Sequence, residues 1–240
     1  MRVLVTGSTG FVGSHATGAL QRAGHSVRVL ARVPARVPAV LGPLGLDADE
    51  IAAGDTTDVA SVQVALDGCD AVVHRAAEIG VGVGSGPIGN ANIEGARVVL
   101  GGAAARGIDP IVYTSSITVH LPCPDPVITP HGPRRYLVSR NYVSWAEWTA
   151  LLGEATGREV AFTEVSAEDM LGLGRKFDEL RAAGQVGLPP LSVEAAVVMN
   201  AGKPADDSAT IGDFGVAYRP TVETFRDTLA WLAEAGRLPT

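Results

Sequence analysis

Residues 2–13 read Arg2-Val3-Leu4-Val5-Thr6-Gly7-Ser8-Thr9-Gly10-Phe11-Val12-Gly13, an apolar run that stops at a glycine-rich turn and opens into an amphipathic stretch. Each glycine has a mechanical role. Gly7 permits a tight turn, Gly10 lets a ligand approach the backbone, and Gly13 lets a helix lie close on the strand. Unpaired amides at the start of that helix supply donors and a partial positive charge, which suit a diphosphate. Gly7, Thr9, Gly10, Phe11, Val12 and Gly13 are therefore candidate contacts for such a group.

Outward from this turn, short apolar runs alternate with helical ones. Strands are expected at residues 3–6, 27–30, 51–53, 71–74 and 111–114. Helices are expected at 11–23, closed by Gly24, at 58–66, opened by Asp58 and followed by Gly68, and at 92–106, ended by Gly107. Strand–helix alternation implies parallel strands with right-handed crossovers, and strands without polar alternation fit a sheet buried on both faces. The fold class is α/β: a doubly wound parallel sheet of Rossmann type with at least five strands. Residues 81–89, rich in glycine, read as a flexible loop.

After Thr114 the rhythm breaks. Residues 121–133 contain Pro122, Pro124, Pro126, Pro130 and Pro133, which excludes helix and central strand. Beyond this linker we expect a strand at 136–139 and a helix opened by the capping box Ser144–Glu147. An extended piece at 160–165 and helices near 167–181, 193–199 and 222–235 complete the chain. The expected division is a dinucleotide-binding core at 1–120, a linker at 121–133 and a reduced, mostly helical lobe at 134–240.

At 240 residues and 46% hydrophobic content, the chain can bury one substantial core, or one core with a small appended lobe. Its net charge of −7 argues against nucleic acid, which needs clustered Lys and Arg. No apolar run approaches the ~20 residues of a membrane span. The start runs into a glycine turn too soon for a signal peptide. Cys69, beside an acid in a loop, and Cys123 set no disulfide framework, so free thiols in the cytoplasm are expected.

The G-x-x-G-x-x-G spacing resembles that of the extended short-chain dehydrogenase/reductase family, which holds NAD(P)-dependent epimerases, dehydratases, dihydroflavonol-reductase-like and 3β-hydroxysteroid-dehydrogenase-like enzymes. Further pieces recur in that family's order: Gly54-Asp55, Ala71-Val72-Val73-His74-Arg75-Ala76-Ala77, Asn92-Ile93-Glu94-Gly95, Val112-Tyr113-Thr114-Ser115-Ser116 and Gly215-Val216-Ala217-Tyr218-Arg219-Pro220. The resemblance covers most of residues 1–120 and, more loosely, 131–236. It implies that Asp55 and Thr56 contact the adenine, that Ala76 and Ala77 line the pyrophosphate and ribose, and that Thr114 belongs to the same site. Arg75 stands where the family has a small or apolar residue; it is either an extra phosphate partner or an obstruction.

An NAD site places a carboxylate at the tip of the second strand. Here that strand ends Leu30-Ala31-Arg32. The acid is absent, and Arg32 suits a 2′-phosphate through its fixed fork of donors. We therefore read NADP as the cofactor in preference to NAD. The other reading makes Arg32 a solvated loop charge like its neighbours Arg28 and Arg36.

The family's chemistry uses a tyrosine and, four residues on, a lysine that lowers the phenol's pKa from ~10. Residues four places after Tyr113, Tyr136, Tyr142 and Tyr218 are Ile117, Arg140, Ala146 and Val222, and the only lysines are Lys176 and Lys203. The pair is missing. Tyr136–Arg140 imitates it poorly, because Arg does not deprotonate and positions i and i+4 of a strand lie ~13 Å apart. The simplest account is an internal deletion that removes the catalytic helix, with residues 121–133 in its place. Ser116 aligns with a substrate-orienting serine, or it is a turn hydroxyl.

His15, His25, His74, His120 and His131 show no metal spacing, and Asp206-Asp207 reads as an exposed acidic step, so no metal is expected. Trp145, Trp148 and Trp231 read as core or interface anchors. Three functions follow from these readings. One is an NADP(H)-binding protein whose standard chemistry is lost or altered. A second is a working oxidoreductase on a small carbonyl or hydroxy substrate, with Ser116, a histidine such as His120, or water as proton donor. The third is a non-enzymatic partner that dimerises with a complete homologue.

Overall fold

A computed structural model describes residues 1–78, 88–130, 132, 134–139 and 142–238. The chain divides into two compact units, Met1–Ser116 and Ile117–Thr240. In the first, strands β1 (Arg2–Thr6), β2 (Ser26–Ala31), β3 (Glu50–Ala53), β4 (Ala71–His74) and β5 (Ile111–Tyr113) form one parallel sheet in the order β3-β2-β1-β4-β5. The order reverses between β1 and β4, and in open α/β sheets such a point opens a crevice beyond the carboxyl ends of the strands.

Alternation along β1 explains why the sheet is covered on both faces. Val3 and Val5 join Val27, Val29, Val37 and Leu41 in one buried cluster. Leu4 points the other way and joins Val62, Leu66, Val72, Val98 and Val99 in a second. Helices α1 (Phe11–Arg22) and α2 (Arg36–Leu41) belong with the first cluster. Helices α3 (Val59–Leu66) and α4 (Ile88–Ala105) supply the second. The sheet is thus doubly wound, as its continuous apolar strands imply.

Helix α2 escapes the sequence reading because Pro38 lies inside it. At the third helical position a proline lacks only an amide that would have no intrahelical partner, so the helix tolerates it. Helix α4 begins at Ile88, four residues before the expected start, and most of the expected loop at 81–89 lies outside the described residues.

The second unit holds α5 (Trp145–Thr156), α6 (Ala167–Ala182), α7 (Val193–Asn200), α8 (Ser208–Phe214) and α9 (Thr221–Glu234). The Ser144–Glu147 capping box opens α5 as expected. Trp148 meets Phe225 of α9 edge-on with ring centroids 5.5 Å apart, and Arg226 reaches Glu154 at 3.1 Å. Trp145 and Trp231 are exposed.

The expected strand at 136–139 does not form. The Tyr136 hydroxyl donates to Asp213 at 3.0 Å, its ring stands edge-on to Phe214, and the Thr210 hydroxyl donates to the Leu137 carbonyl at 2.5 Å. Side chains of α8 take the polar groups that a neighbouring strand would have taken. Asp207 is also buried rather than exposed, at 7% exposure. The proline-rich stretch carries a short 3-10 turn before it, at Ile117–His120, and is tied down through Ile128, which bridges to Ala205.

Candidate nucleotide site

The turn after β1 is shaped by two contacts that no side chain could share. Gly7 adopts φ +77°, and a Cβ there would lie 2.8 Å from both the Ala76 nitrogen and the Arg75 carbonyl carbon. A Cβ on Gly13 would lie 1.9 Å from the Gly7 carbonyl oxygen. Helix α1 therefore rests directly on the turn. Gly10 is its N-cap in extended conformation, and no side chain among the described residues caps this end. The first intrahelical bond runs from the Ser14 amide to the Gly10 carbonyl, so the amides of Phe11, Val12 and Gly13 have no intrahelical acceptor. Phe11 and Val12 are exposed at the rim, and Thr9 is half-buried. Beneath the turn, the buried Thr17 hydroxyl lies 3.0 Å from the Gly13 carbonyl and 3.2 Å from the Ser8 hydroxyl.

A buried polar knot holds β1 to β4 behind Gly7. The Thr6 hydroxyl accepts from the amides of Arg75 and Ala76, each at 3.1 Å, which spends both its lone pairs. Its proton must then go to His74 Nδ1, 2.7 Å away. That bond assigns the neutral Nε2–H tautomer to the imidazole. Burial pushes the pKa of His74 down from 6.5 to about 4, in agreement with a neutral ring. The ring also stacks on Tyr113, with centroids 5.6 Å apart. Thr6, His74 and Tyr113 stand in register across three adjacent strands at their carboxyl ends. In the sequence His74 showed only an absence of metal spacing, and Thr6 only the end of a strand; the signal was their shared place at strand ends on either side of the reversal.

Arg75 carries a buried Nε with no hydrogen-bond partner among the described residues, and burial lowers its pKa. A half-buried guanidinium with one desolvated donor beside an amide-lined turn suits an anion, so the donors present fit the diphosphate of a dinucleotide. Ala76 is half-buried and Ala77 exposed. Thr114 is exposed, with its amide on the His74 carbonyl at 3.0 Å, and Ser116 is exposed at the end of the first unit.

At the β2 tip, Arg32 is 69% exposed. Its Nε lies 3.9 Å from Asp55 Oδ2 and its Nη1 3.8 Å from Glu78 Oε1. Arg28 differs from it: its fork binds Glu50 and donates to the carbonyls of Ala65 and Asp67, and its side chain is 14% exposed. Arg28 is a brace between β2, β3 and α3. Arg36 opens α2 and is exposed. The other oxygen of Asp55 accepts from the amide and hydroxyl of Thr57, and Thr56 packs so closely on α4 that a Cβ on Gly95 would lie 2.9 Å from its hydroxyl. Glu78 was not singled out in the sequence.

Among the described residues no His/Cys/Asp/Glu group could hold a metal ion, and no helix is long and apolar enough to cross a membrane. Both cysteines are free. Of the two lysines, Lys203 donates to the carbonyls of Cys123 and Asp125, and Lys176 is an exposed residue of α6. Tyr136 faces α8, and Arg140 lies outside the described residues.

The family model described as "NAD dependent epimerase/dehydratase family" matches residues 3–142. A 3β-hydroxysteroid dehydrogenase/Δ5→4-isomerase of Mycobacterium tuberculosis is 34% identical over 125 residues, covering 49% of this chain and 32% of its own. A 3-diazoavenalumate denitrifying reductase of a Streptomyces species is 29% identical over 193 residues, covering 77% of this chain and 58% of its own. The chain therefore matches about a third of the length of the first of these relatives. Among solved structures, that of gox2253 superposes with a TM-score of 0.72 at 18% identity, covering 99% of both chains, a likeness of fold.

Proposed function

Because the chain belongs to the NAD-dependent epimerase/dehydratase family, whose members use a nicotinamide dinucleotide, we propose that its first unit holds NADP(H) and that the standard tyrosine–lysine chemistry is absent. The observation that carries this reading is the cradle at residues 7–13. Gly13 sits where any side chain would meet the Gly7 carbonyl, and the helix end above it is uncapped. The diphosphate rests on the amides of Phe11, Val12 and Gly13, with Arg75 as an added cation. Arg32 takes the 2′-phosphate, Asp55 and Thr56 flank the adenine, and Ala76, Ala77 and Thr114 line the way to the nicotinamide. The nicotinamide supplies or accepts a hydride when bound.

What this chain lacks is a proton source of the usual kind. No tyrosine is followed at four residues by lysine, and none of residues 1–116 is a lysine. A second reading, a working reductase, draws on Ser116, which is exposed two residues beyond the Thr114 anchored on β4. Titrating the protein with NADPH by fluorescence, then adding a panel of aldehydes and ketones, separates the two. Saturable binding without NADPH oxidation is expected. Turnover would favour the second reading, and failure to bind either nicotinamide nucleotide would overturn both.

A further inference from the structure

We propose that Arg32, Asp55 and Glu78 form one selector for the adenosine ribose, and that Glu78 tempers the preference for a 2′-phosphate; this rests on the nucleotide reading above. Three loops beyond the sheet contribute one charge each. Arg32 follows β2, Asp55 follows β3 and Glu78 follows β4. The carboxylates stand on two sides of one guanidinium, 3.9 Å from Nε and 3.8 Å from Nη1. These separations attract but exceed the 2.7–3.2 Å of a hydrogen bond. The donors of the fork therefore stay available to an incoming acceptor while the carboxylates fix its place.

Both acids are delivered from tied backbones. Asp55 has its second oxygen engaged by Thr57. Glu78 donates its amide to Asn92 Oδ1 at 2.8 Å and accepts from Asn92 Nδ2 at 2.9 Å through its carbonyl. The Glu78 carboxylate is thus presented by a main chain clamped to α4.

The consequence differs for the two nucleotides. A 2′-phosphate gains the Arg32 fork but brings two negative charges up to Glu78. An unphosphorylated ribose keeps the ion pairs and offers hydroxyl protons that Glu78 accepts. Glu78 therefore penalises NADP(H) and favours NAD(H), and the site accepts both with a modest preference for the phosphorylated form. Because Arg32 and Glu78 are both more than half exposed, the effect of one carboxylate is small, roughly two- to five-fold in affinity ratio.

The test compares Kd for NADPH and NADH in the wild type, Glu78→Gln, Arg32→Ala and the double variant. All of these changes are at exposed side chains. Glu78→Gln is expected to raise the ratio Kd(NADH)/Kd(NADPH) roughly two- to five-fold. Because Arg32 is the group that seats the 2′-phosphate beside Glu78, the same change in the Arg32→Ala background should lose most of that effect, and raised salt should shrink it. A ratio that is unchanged or lowered in Glu78→Gln, or an equal shift with and without Arg32, overturns the selector while leaving nucleotide binding intact. A wild type that binds neither nucleotide overturns the cofactor reading itself, and the selector with it.

Discussion

Lowering the pH should weaken the first unit through one residue. His74 is 1% exposed, and its Nδ1 accepts the Thr6 proton, so protonation would place a second donor against a hydroxyl whose lone pairs are already spent. Its pKa falls from 6.5 to about 4 on folding. The native state therefore binds fewer protons than the unfolded chain between those values, and stability rises with pH across that window. The contribution is complete above pH 6.5 and is lost as pH falls towards 4. Linkage with these two values gives a loss of about 2 kcal/mol between pH 8 and pH 5, and about 3 kcal/mol once both states are protonated. Urea unfolding, followed through the NMR peak intensities of β1 and β4 amides, measures this in the first unit alone. The control is His74→Asn, which keeps an acceptor near Nδ1 and does not titrate. It should be less stable at every pH, having lost the ring that stacks on Tyr113, but its pH slope between 8 and 5 should be flatter by that same ~2 kcal/mol. Equal slopes in the two proteins, or a His74 ring that titrates near 6.5, would refute the account of the knot.

Three further outcomes follow from the geometry. Gly13→Ala gains up to ~1 kcal/mol of helix propensity, but its Cβ meets a backbone oxygen that no rotamer can move; the clash should win, giving a net loss of about 1–2 kcal/mol in a thermal melt and no NADPH binding. Arg28→Met should cost about 1–3 kcal/mol by removing the brace to Glu50 and α3, yet leave the NADPH/NADH ratio unaltered, the opposite of Arg32→Ala. Tyr136→Phe removes only the bond to Asp213, so any turnover found should persist; its loss would return Tyr136 to the chemistry.

The parts legible in the sequence were those set by local rules. The strand–turn–helix at residues 2–13, the Asp58 and Ser144 caps and the apolar strands all announce themselves within a dozen residues, because each satisfies its own backbone or fills one layer of core. Helix α8 was missed although Asp207 and Gly215 bound it, and the misplaced strand at 136–139 is the counterpart of that miss. An apolar run becomes a strand only where another strand pairs with its backbone, and here the Thr210 hydroxyl of α8 donates to the Leu137 carbonyl instead. Arg28 and Arg32 are four residues apart and look alike in the sequence. Arg28, three residues into β2, is drawn into a bracing role against Glu50 and α3, whereas Arg32, just past the end of β2, stays exposed at the rim beside Asp55 and Glu78.

The proposed selector is marked by no local pattern, whereas the tyrosine–lysine pair would be. Asp55 and Glu78 lie far from Arg32 in sequence, and they converge only because a parallel sheet in the order β3-β2-β1-β4 brings its carboxyl ends to one rim. A tyrosine–lysine pair one helical turn apart is a local pattern, so its absence can be read directly from the chain. On the proposed reading, nucleotide binding and hydride chemistry draw on separable sets of residues. The proposed nucleotide set lies within residues 7–78 and 114, on turns that follow strands packed into the two cores. A chain can keep that set intact, cores and all, while losing the proton donor, because nothing in the packing of Val3, Leu4 or Val5 depends on the donor being there.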